Sequence, residues 1–387
     1  MRKRIAMLSR RRHLAAALAA LTGGMPVHVG SMHHRTAWSA AIVCAVAPGD
    51  PPPDALIKAG HWKRARAMIE PQYKAHPGDA ELNYLMSEVD DAFGDLDSAR
   101  ALAEKAVALK SGDARYHRQL ADVDGEMAEN ASLFAKGGWA KKFKAEAEQA
   151  AELDPQNLEA RFDLLEYDLQ APRLMGGGKD KAAAMAGEIA KIDPAQGDLA
   201  QARVAQDAKD RGAEESWYLK ALAAKRDSYD VLTSVAGFYE RPPQPQFDRA
   251  RNYAEQAIKT DPGRAEAYSL LVSAYAIEGR WNEIEATLAQ AASNVPDDLD
   301  PYYRAGLAIL NVDGPGGVTL SRAEGYFRKY LSADRVGGEP TLAQAHWRLG
   351  LVLEKEGRKP EAISELKAAL QLNPNLNAAR KDLRRLQ

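Results

Sequence analysis

A short glycine run followed by a lysine is the part of this sequence that comes nearest to a catalytic or nucleotide-binding motif. The run Gly176–Lys179 has the composition of a phosphate-binding loop. Such a loop also needs a glycine where Arg173 stands, a serine or threonine where Asp180 stands, and a strand before it. The sequence meets none of these requirements, so it predicts a flexible connection here and not a nucleotide site.

The eight histidines do not form a metal-binding pattern. His33 and His34, in the N-terminal segment, could bind a metal only if that segment is retained. Outside that segment four histidines are spread along the chain without the spacing of metal ligands: His61, His76, His117 and His346. No serine, histidine and aspartate arrangement can be argued from such scattered positions. The sequence therefore predicts no catalytic residues, no metal and no cofactor.

A pattern of small residues and prolines recurs along the chain. A small or aliphatic residue is followed seven positions later by alanine, and a proline comes five positions after that alanine. The clearest copies are Ala250, Ala257 and Pro262; Ile284, Ala291 and Pro296; and Ala362, Ala369 and Pro374. With the apolar stretch that precedes each trio, the unit is about 34 residues long and contains two helices.

This period and these landmarks resemble the tetratricopeptide repeat, and the resemblance covers about Val46 to Gln387. Two antiparallel helices roughly 8 to 10 Å apart interlock only where some contact positions are small, and proline cannot extend the second helix. The resemblance implies an all-α fold: a right-handed superhelical solenoid of about nine helix-turn-helix repeats over 48–387. A C-terminal capping helix is expected at 377–387, with apolar residues on one side and basic residues on the other.

The units in this register are of uneven quality. They begin at about residues 46, 80, 114, 158, 195, 229, 265, 299 and 343. The third carries about ten extra residues near 126–136, which predicts an elongated helix or an inserted turn. In the fourth, Pro172 breaks the helix and a loop follows as far as Asp180. The fifth is degenerate, and Tyr218 and Ala221 alone keep its register.

Residues 1–47 are interpreted as an export leader. Arginines and a lysine precede the short apolar run Leu14–Leu21, as in a secretory signal peptide. A second apolar run at 37–47 favours a later translation start, at Met25 or Met32. Alternatively, the segment 9–14 is similar to a twin-arginine signal. Each interpretation favours an exported, periplasmic or cell-envelope protein over one with a disordered cytosolic extension.

The leader contains the only cysteine of the chain, Cys44, so no intramolecular disulfide exists. The residues before Cys44 match a lipoprotein signal poorly, and lipid anchoring through it is not expected. Neither apolar run reaches the roughly 20 residues of a membrane span. The chain is 45% hydrophobic and 27% charged, and its net charge is -2. No strong electrostatic attraction to nucleic acid or to a membrane surface is therefore expected.

The resemblance also implies that the first helix of each unit lines a concave groove. At its N-terminal end the positions facing the groove are mostly acidic, with an arginine pair and aromatic rings among them: Glu81, Tyr84, Glu88, Asp91, Arg115, Arg118, Asp122, Glu159, Phe162 and Glu166. Arg115 and Arg118 could hold an acidic group of a partner, or the charges could neutralise one another structurally. Acidic residues also stand where the chaperone-binding subclass requires lysine and asparagine.

At the C-terminal end of the groove the corresponding positions are apolar: Tyr303, Leu307, Trp347 and Leu351. These residues could bind a partner, or the capping helix could lie across Trp347 and Leu351. The predicted function is a non-enzymatic interaction scaffold that binds a protein, as a peptide or partner helix, in the groove. The alternative is a ligand-binding accessory solenoid of an envelope transport or assembly system, with a small molecule near Gly176–Lys179. An enclosed cavity at that loop would favour the alternative.

Overall fold

The computed structural model describes residues 51–311, 317–332 and 340–387, and the leader predicted at 1–47 lies outside these ranges. The described residues form nineteen α-helices and no β-strand. The helices are α1 (Pro53–Ala59), α2 (Trp62–Ala75), α3 (Ala80–Ala92), α4 (Leu96–Leu109), α5 (Ala114–Asn130), α6 (Leu133–Leu153), α7 (Leu158–Gln170), α8 (Lys179–Ile192), α9 (Pro194–Asp207), α10 (Arg211–Ala224), α11 (Tyr229–Glu240), α12 (Phe247–Thr260), α13 (Ala265–Ile277), α14 (Trp281–Asn294), α15 (Asp300–Asn311), α16 (Gly317–Leu331), α17 (Leu342–Lys355), α18 (Lys359–Leu372) and α19 (Asn377–Leu386).

The helices pack as nine consecutive pairs, followed by α19 as a cap on α18. In most neighbouring units the first helices also contact each other, as α13 does with α11 and α15. The first helices therefore form one wall of a right-handed superhelical solenoid, and the second helices form the other. The predicted repeats and the predicted capping helix are both confirmed.

Alanines at the repeated small positions let the helices of each unit approach closely. Ala106, Ala257 and Ala369 lie on second helices and are fully buried. Gly350 serves the same purpose on α17, where an added Cβ would lie 3.1 Å from the Cγ of Leu366 on α18. The small residues in the sequence pattern thus mark the helix crossings.

In five units the turn between the two helices closes with a residue in the left-handed region of backbone space. Glycine occupies this position in four units, at Gly60, Gly94, Gly279 and Gly357, with φ between 69° and 79°. Lys209 takes the equivalent place in the fifth unit with φ of 59°. Glycine adopts this conformation without steric cost, whereas a residue with a Cβ does not. The degenerate fifth unit therefore keeps the fold of its neighbours with a less suitable turn residue.

Two units depart from the regular pair as the sequence predicts. In the third unit both helices are lengthened, to 17 residues in α5 and 21 in α6. In the fourth unit α7 ends at Gln170, two residues before Pro172, and a 3-10 helix at Arg173–Met175 precedes α8. The two irregular units are adjacent, so their unusual turns lie on the same edge of the solenoid.

The superhelix brings its first unit back against the turn that follows the seventh. The Nδ1 atom of His61 lies 2.9 Å from Oδ1 of Asp297, and the Nε atom of Arg64 lies 3.4 Å from Oδ2 of the same carboxylate. His61 is buried, and the Asp297 side chain is 9% exposed. Burial raises the pKa of Asp297, but the hydrogen bond with His61 and the charges of His61 and Arg64 outweigh it, so the pKa is lowered. We call these three residues the clasp.

Within the described ranges, no helix combines the length and the apolar character that crossing a bilayer requires.

Candidate binding groove

The N-terminal end of the groove is built from ion pairs within the chain. The guanidinium of Arg115 on α5 donates two hydrogen bonds of 2.7 Å to Glu81 on α3. It also bonds to Asp113, and these bonds lower the pKa of Asp113 to about 2. Arg115 is half-exposed and stacks over the Tyr84 ring, with 5.3 Å from its Cζ to the ring centroid. Arg115 therefore lies at the edge of the groove with its charge already paired.

Arg118, one turn further along α5, faces the interior. Its side chain is 11% exposed and contacts Asp122 on the same helix, while its Nε lies 3.6 Å from Asp163 on α7. Glu88 is buried nearby, and burial together with the Glu88 carboxylate raises the pKa of Tyr84 well above its usual value. The two arginines thus meet different carboxylates and do not converge on a shared site.

The remaining predicted residues of this end are also engaged within the chain. Glu166 is buried and accepts hydrogen bonds of 2.7 and 3.0 Å from Arg203 on α9. Phe162 packs against the apolar cluster that contains Leu165 and Ile189. This pairing matches the structural alternative, in which the charges neutralise one another; the binding role of these residues stays a prediction. Sequence analysis missed Arg203, which belongs to the degenerate fifth unit.

At the C-terminal end, the predicted apolar residues divide between the core and the groove. Tyr303 is buried, with its ring centroid 5.4 Å from those of Phe327 and Tyr330. Leu307 is half-buried against the same core. Trp347 donates a hydrogen bond of 2.8 Å from Nε1 to Asp382 on α19. The cap therefore contacts Trp347, as the alternative interpretation predicts.

Leu351 lines an open depression of about 420 Å³ on the concave side, which we call the C-terminal cavity. The cavity lies between α15, α17 and α19, and its lining combines two leucines with one carboxylate and three cationic side chains: Leu310, Asn311, Arg348, Leu351, Glu354, Lys355 and Arg385. Arg385 is paired with Glu354 at 2.8 Å. The Nε atom of Arg348 is buried and has no hydrogen-bond partner among the described residues. This end can accept an apolar group and an anion together.

The backbone amides of the three glycines in the loop Gly176–Lys179 are hydrogen-bonded within the chain. The N–H groups of Gly176, Gly177 and Gly178 donate to the carbonyls of Arg173, Pro172 and Asp168 at 2.9, 3.3 and 2.8 Å. A phosphate-binding loop needs such amides directed at the ligand, so these donors are not available to a phosphate. The depression beside the loop, about 440 Å³, is open to solvent and not an enclosed cavity. This geometry does not favour the small-molecule alternative.

Three histidines of the described ranges, His61, His117 and His346, lie in separate pairs with carboxylates. His117 bonds to Glu146 at 2.7 Å and His346 bonds to Glu365 at 2.6 Å. Across the part of the chain that the structure describes, no group of three histidine, cysteine or acidic side chains is arranged to hold a metal ion.

Comparison with known proteins identifies the repeat. One tetratricopeptide repeat model matches residues 56–123 and 244–310, and another matches 343–376. No curated protein sequence matches the chain.

Similar solved structures share little sequence with this chain. A tetratricopeptide repeat protein of Thermus thermophilus is 17% identical over 48% of this chain and 94% of its own, with a TM-score of 0.43. One from Parabacteroides merdae is 14% identical over 69% and 98%, also with a TM-score of 0.43. Pseudomonas aeruginosa pilF is 15% identical over 57% and 94%, with a TM-score of 0.33. The family matches fall on the helix pairs described above, and these stretches of the chain are tetratricopeptide repeats.

Proposed function

We propose that this protein is a non-enzymatic interaction scaffold that binds an extended peptide or partner helix at the C-terminal end of its concave groove. The fold supports the general role, because tetratricopeptide repeat proteins bind protein partners. The choice of the C-terminal end rests on one observation, the cavity that Leu351 and Arg348 line.

The composition of that cavity defines the partner chemistry. Leu310 and Leu351 offer an apolar surface, and the Arg348 guanidinium, which lies over the Trp347 ring, offers a cation to a carboxylate. Lys355 adds a second cation beside it. The preferred segment therefore carries an aliphatic or aromatic side chain close to an acidic group. A charge-assisted hydrogen bond of this kind contributes about 1.5–3 kcal/mol.

The contrast with the other end of the groove favours this choice. Arg115 and Arg118 already bond to carboxylates of the chain, so a partner would have to displace Glu81 or Asp122. At the C-terminal end Arg348 forms no ion pair with a carboxylate of the described residues, so an acidic partner would not have to displace one.

A displayed peptide library, selected on the full chain, tests the proposal. We expect enrichment of peptides that place an apolar residue beside an acidic one. Arg348→Ala should then weaken a selected peptide by about 10- to 100-fold, the equivalent of one charged hydrogen bond. Arg115→Ala, which removes an arginine from the opposite end, is the matched control and should leave the affinity within about twofold.

Loss of binding in Arg115→Ala with retention in Arg348→Ala would contradict the proposal and place the site at the N-terminal end. Selection of basic peptides would contradict the proposed partner chemistry.

We also propose that the protein is exported to the periplasm or cell envelope. The charged and apolar pattern of residues 1–47 supports this. N-terminal sequencing of the native protein should find a mature chain that begins near Val46 or Pro48. A native chain that retains Met1 or Met32 would contradict export by cleavage.

A further inference from the structure

Two large apolar side chains project almost completely into solvent on one edge of the solenoid. Phe134 at the start of α6 is 98% exposed, and Leu174 in the turn of the fourth unit is 99% exposed. Each follows the first helix of its unit, and the units are neighbours, so both belong to the same edge. Side chains that protrude in this way differ from the half-buried apolar residues found singly on most protein surfaces.

The packing beneath these side chains brings the two segments together. A Cβ added to Gly137 on α6 would lie 3.8 Å from the Cε of Met175, which places Met175 against that helix. The hydroxyl of Tyr167 donates to the carbonyl of Met175 at 2.7 Å. Phe134 lies three residues before Gly137, on the same face of α6. Phe134 and Leu174 therefore flank one contact between the two units.

The charge around these side chains is unlike that of the whole chain. The segment 131–145 contains four lysines and no acidic residue, and the segment 169–179 contains Arg173 and Lys179 and no acidic residue. Lys141 is exposed on the same face of α6 as Phe134, and the Arg173 side chain is 87% exposed. The two segments therefore have a local excess of positive charge, although the net charge of the whole chain is -2.

Carboxylates border the patch without covering it. Glu126 and Glu129 lie near the end of α5, and Asp180 lies 3.6 Å from Arg173. Lys144 and Lys179 are paired with Glu148 at 3.3 Å and Asp207 at 2.7 Å, so the cations that matter beside Phe134 and Leu174 are Lys141 and Arg173.

Protruding apolar side chains among cations suit the interface of an anionic bilayer, where the apolar groups enter the acyl boundary and the cations meet lipid phosphates. We propose that this edge docks onto an anionic lipid surface, with Phe134 and Leu174 inserted and Lys141 and Arg173 at the headgroups. This role is separate from peptide binding, because the lipid site lies on the turn edge and the groove lies on the wall of first helices.

Vesicle sedimentation with the full chain tests this docking. Vesicles of equal parts phosphatidylglycerol and phosphatidylcholine should bind the protein, and vesicles of phosphatidylcholine alone should bind it at least tenfold more weakly. Binding to the anionic vesicles should be lost in about 1 M salt, where the Debye length is about 3 Å.

The double variant Phe134→Ser with Leu174→Ser should lower the partition coefficient at least tenfold, and Lys141→Glu with Arg173→Glu should do the same. The control is Leu109→Ser with Leu372→Ser. These leucines are 49% and 54% exposed at the ends of second helices, on the opposite edge of the solenoid. This control should bind within about twofold of the unchanged protein.

All six substituted positions are exposed, so circular dichroism should show unchanged folding in each variant. Failure of the unchanged protein to bind anionic vesicles would overturn the proposal, as would equal binding to neutral vesicles. Binding that survives in the Phe134 and Leu174 variant would also overturn it and assign lipid affinity to another segment, such as the N-terminal leader.

Discussion

The clasp between His61, Arg64 and Asp297 should be worth a measurable part of the stability of the first unit. Replacing Asp297 with alanine removes a 2.9 Å bond to a buried histidine and an ion pair to a partly exposed arginine. The first contributes about 1.5–3 kcal/mol as a charged hydrogen bond, and the second about 0–1 kcal/mol as a partly solvated pair. We expect a loss of about 2–3 kcal/mol in the opening of α1 and α2.

Hydrogen exchange measured by mass spectrometry can locate this loss. In a repeat array each unit contacts its neighbours, so damage to one contact stays local. A change of about 2–3 kcal/mol corresponds to about 30- to 150-fold faster exchange. This acceleration should appear in α1, α2 and the turn near Asp297, while α7 to α11 keep their protection. Small-angle scattering should show a larger radius of gyration, because the first unit is no longer held to the turn after the seventh.

Asp297→Asn is the graded control for the clasp. It keeps an oxygen that can accept a hydrogen bond and removes only the charge, so its effect should be about half that of alanine or less. Unchanged exchange of α1 and α2 in the alanine variant would refute the reasoning. So would a uniform loss of protection along the array, because that would mean that the clasp supports the whole solenoid.

Three further predictions concern stability. Lys209→Gly should raise the free energy of unfolding by about 1 kcal/mol, because glycine accepts the left-handed conformation without steric cost; urea unfolding measures this. Gly197→Ala should lower the free energy of unfolding by about 1–3 kcal/mol or more, because the added Cβ would lie 2.3 Å from the backbone of the preceding helix. Gly187→Ala is the control: its Cβ would have no atom within 4 Å, so the substitution should not lower the free energy of unfolding. Asp113 has a folded pKa of about 2, below the usual carboxyl pKa of about 4. Its ion pair with Arg115 therefore stabilises the fold above pH 4, and this stabilisation is lost as the pH falls from about 4 to 2. Asp113→Asn keeps a good N-cap, and its stability difference from the unchanged protein should shrink over that pH range in urea titrations.

The helical architecture was predictable because the residues that shape each unit lie close together in its own sequence. Small residues such as Ala257 mark the helix crossings, and Pro172 ends α7 where the backbone can no longer continue the helix. The extra residues of the third unit were also predictable, because a fixed repeat length exposes any insertion. The helix crossings, helix ends and insertions all depend on residues close in sequence, so a periodic sequence pattern reveals them.

The arrangement of the candidate site was predictable only in part. The pattern indicates which face of a first helix meets the groove, but not which charges on adjacent units pair there. Arg118 meets Asp163, and Glu166 meets Arg203, because of the angle at which successive units stack. The C-terminal cavity likewise depends on where α19 places Arg385. Such contacts arise from superhelical geometry, which no local spacing specifies.

The clasp was not predictable for the same reason, since His61 and Asp297 are 236 residues apart.

The clasp also changes how this protein should respond to force. An array whose units contact only their neighbours extends under tension like a soft spring, because each interface opens by a small angle. The clasp adds a contact across the superhelical turn, from His61 and Arg64 to Asp297, in parallel with the six units between them. Tension applied between the first unit and the eighth therefore meets a stiff element before the spring extends. A single early rupture, followed by soft extension, is the mechanical signature expected of this solenoid.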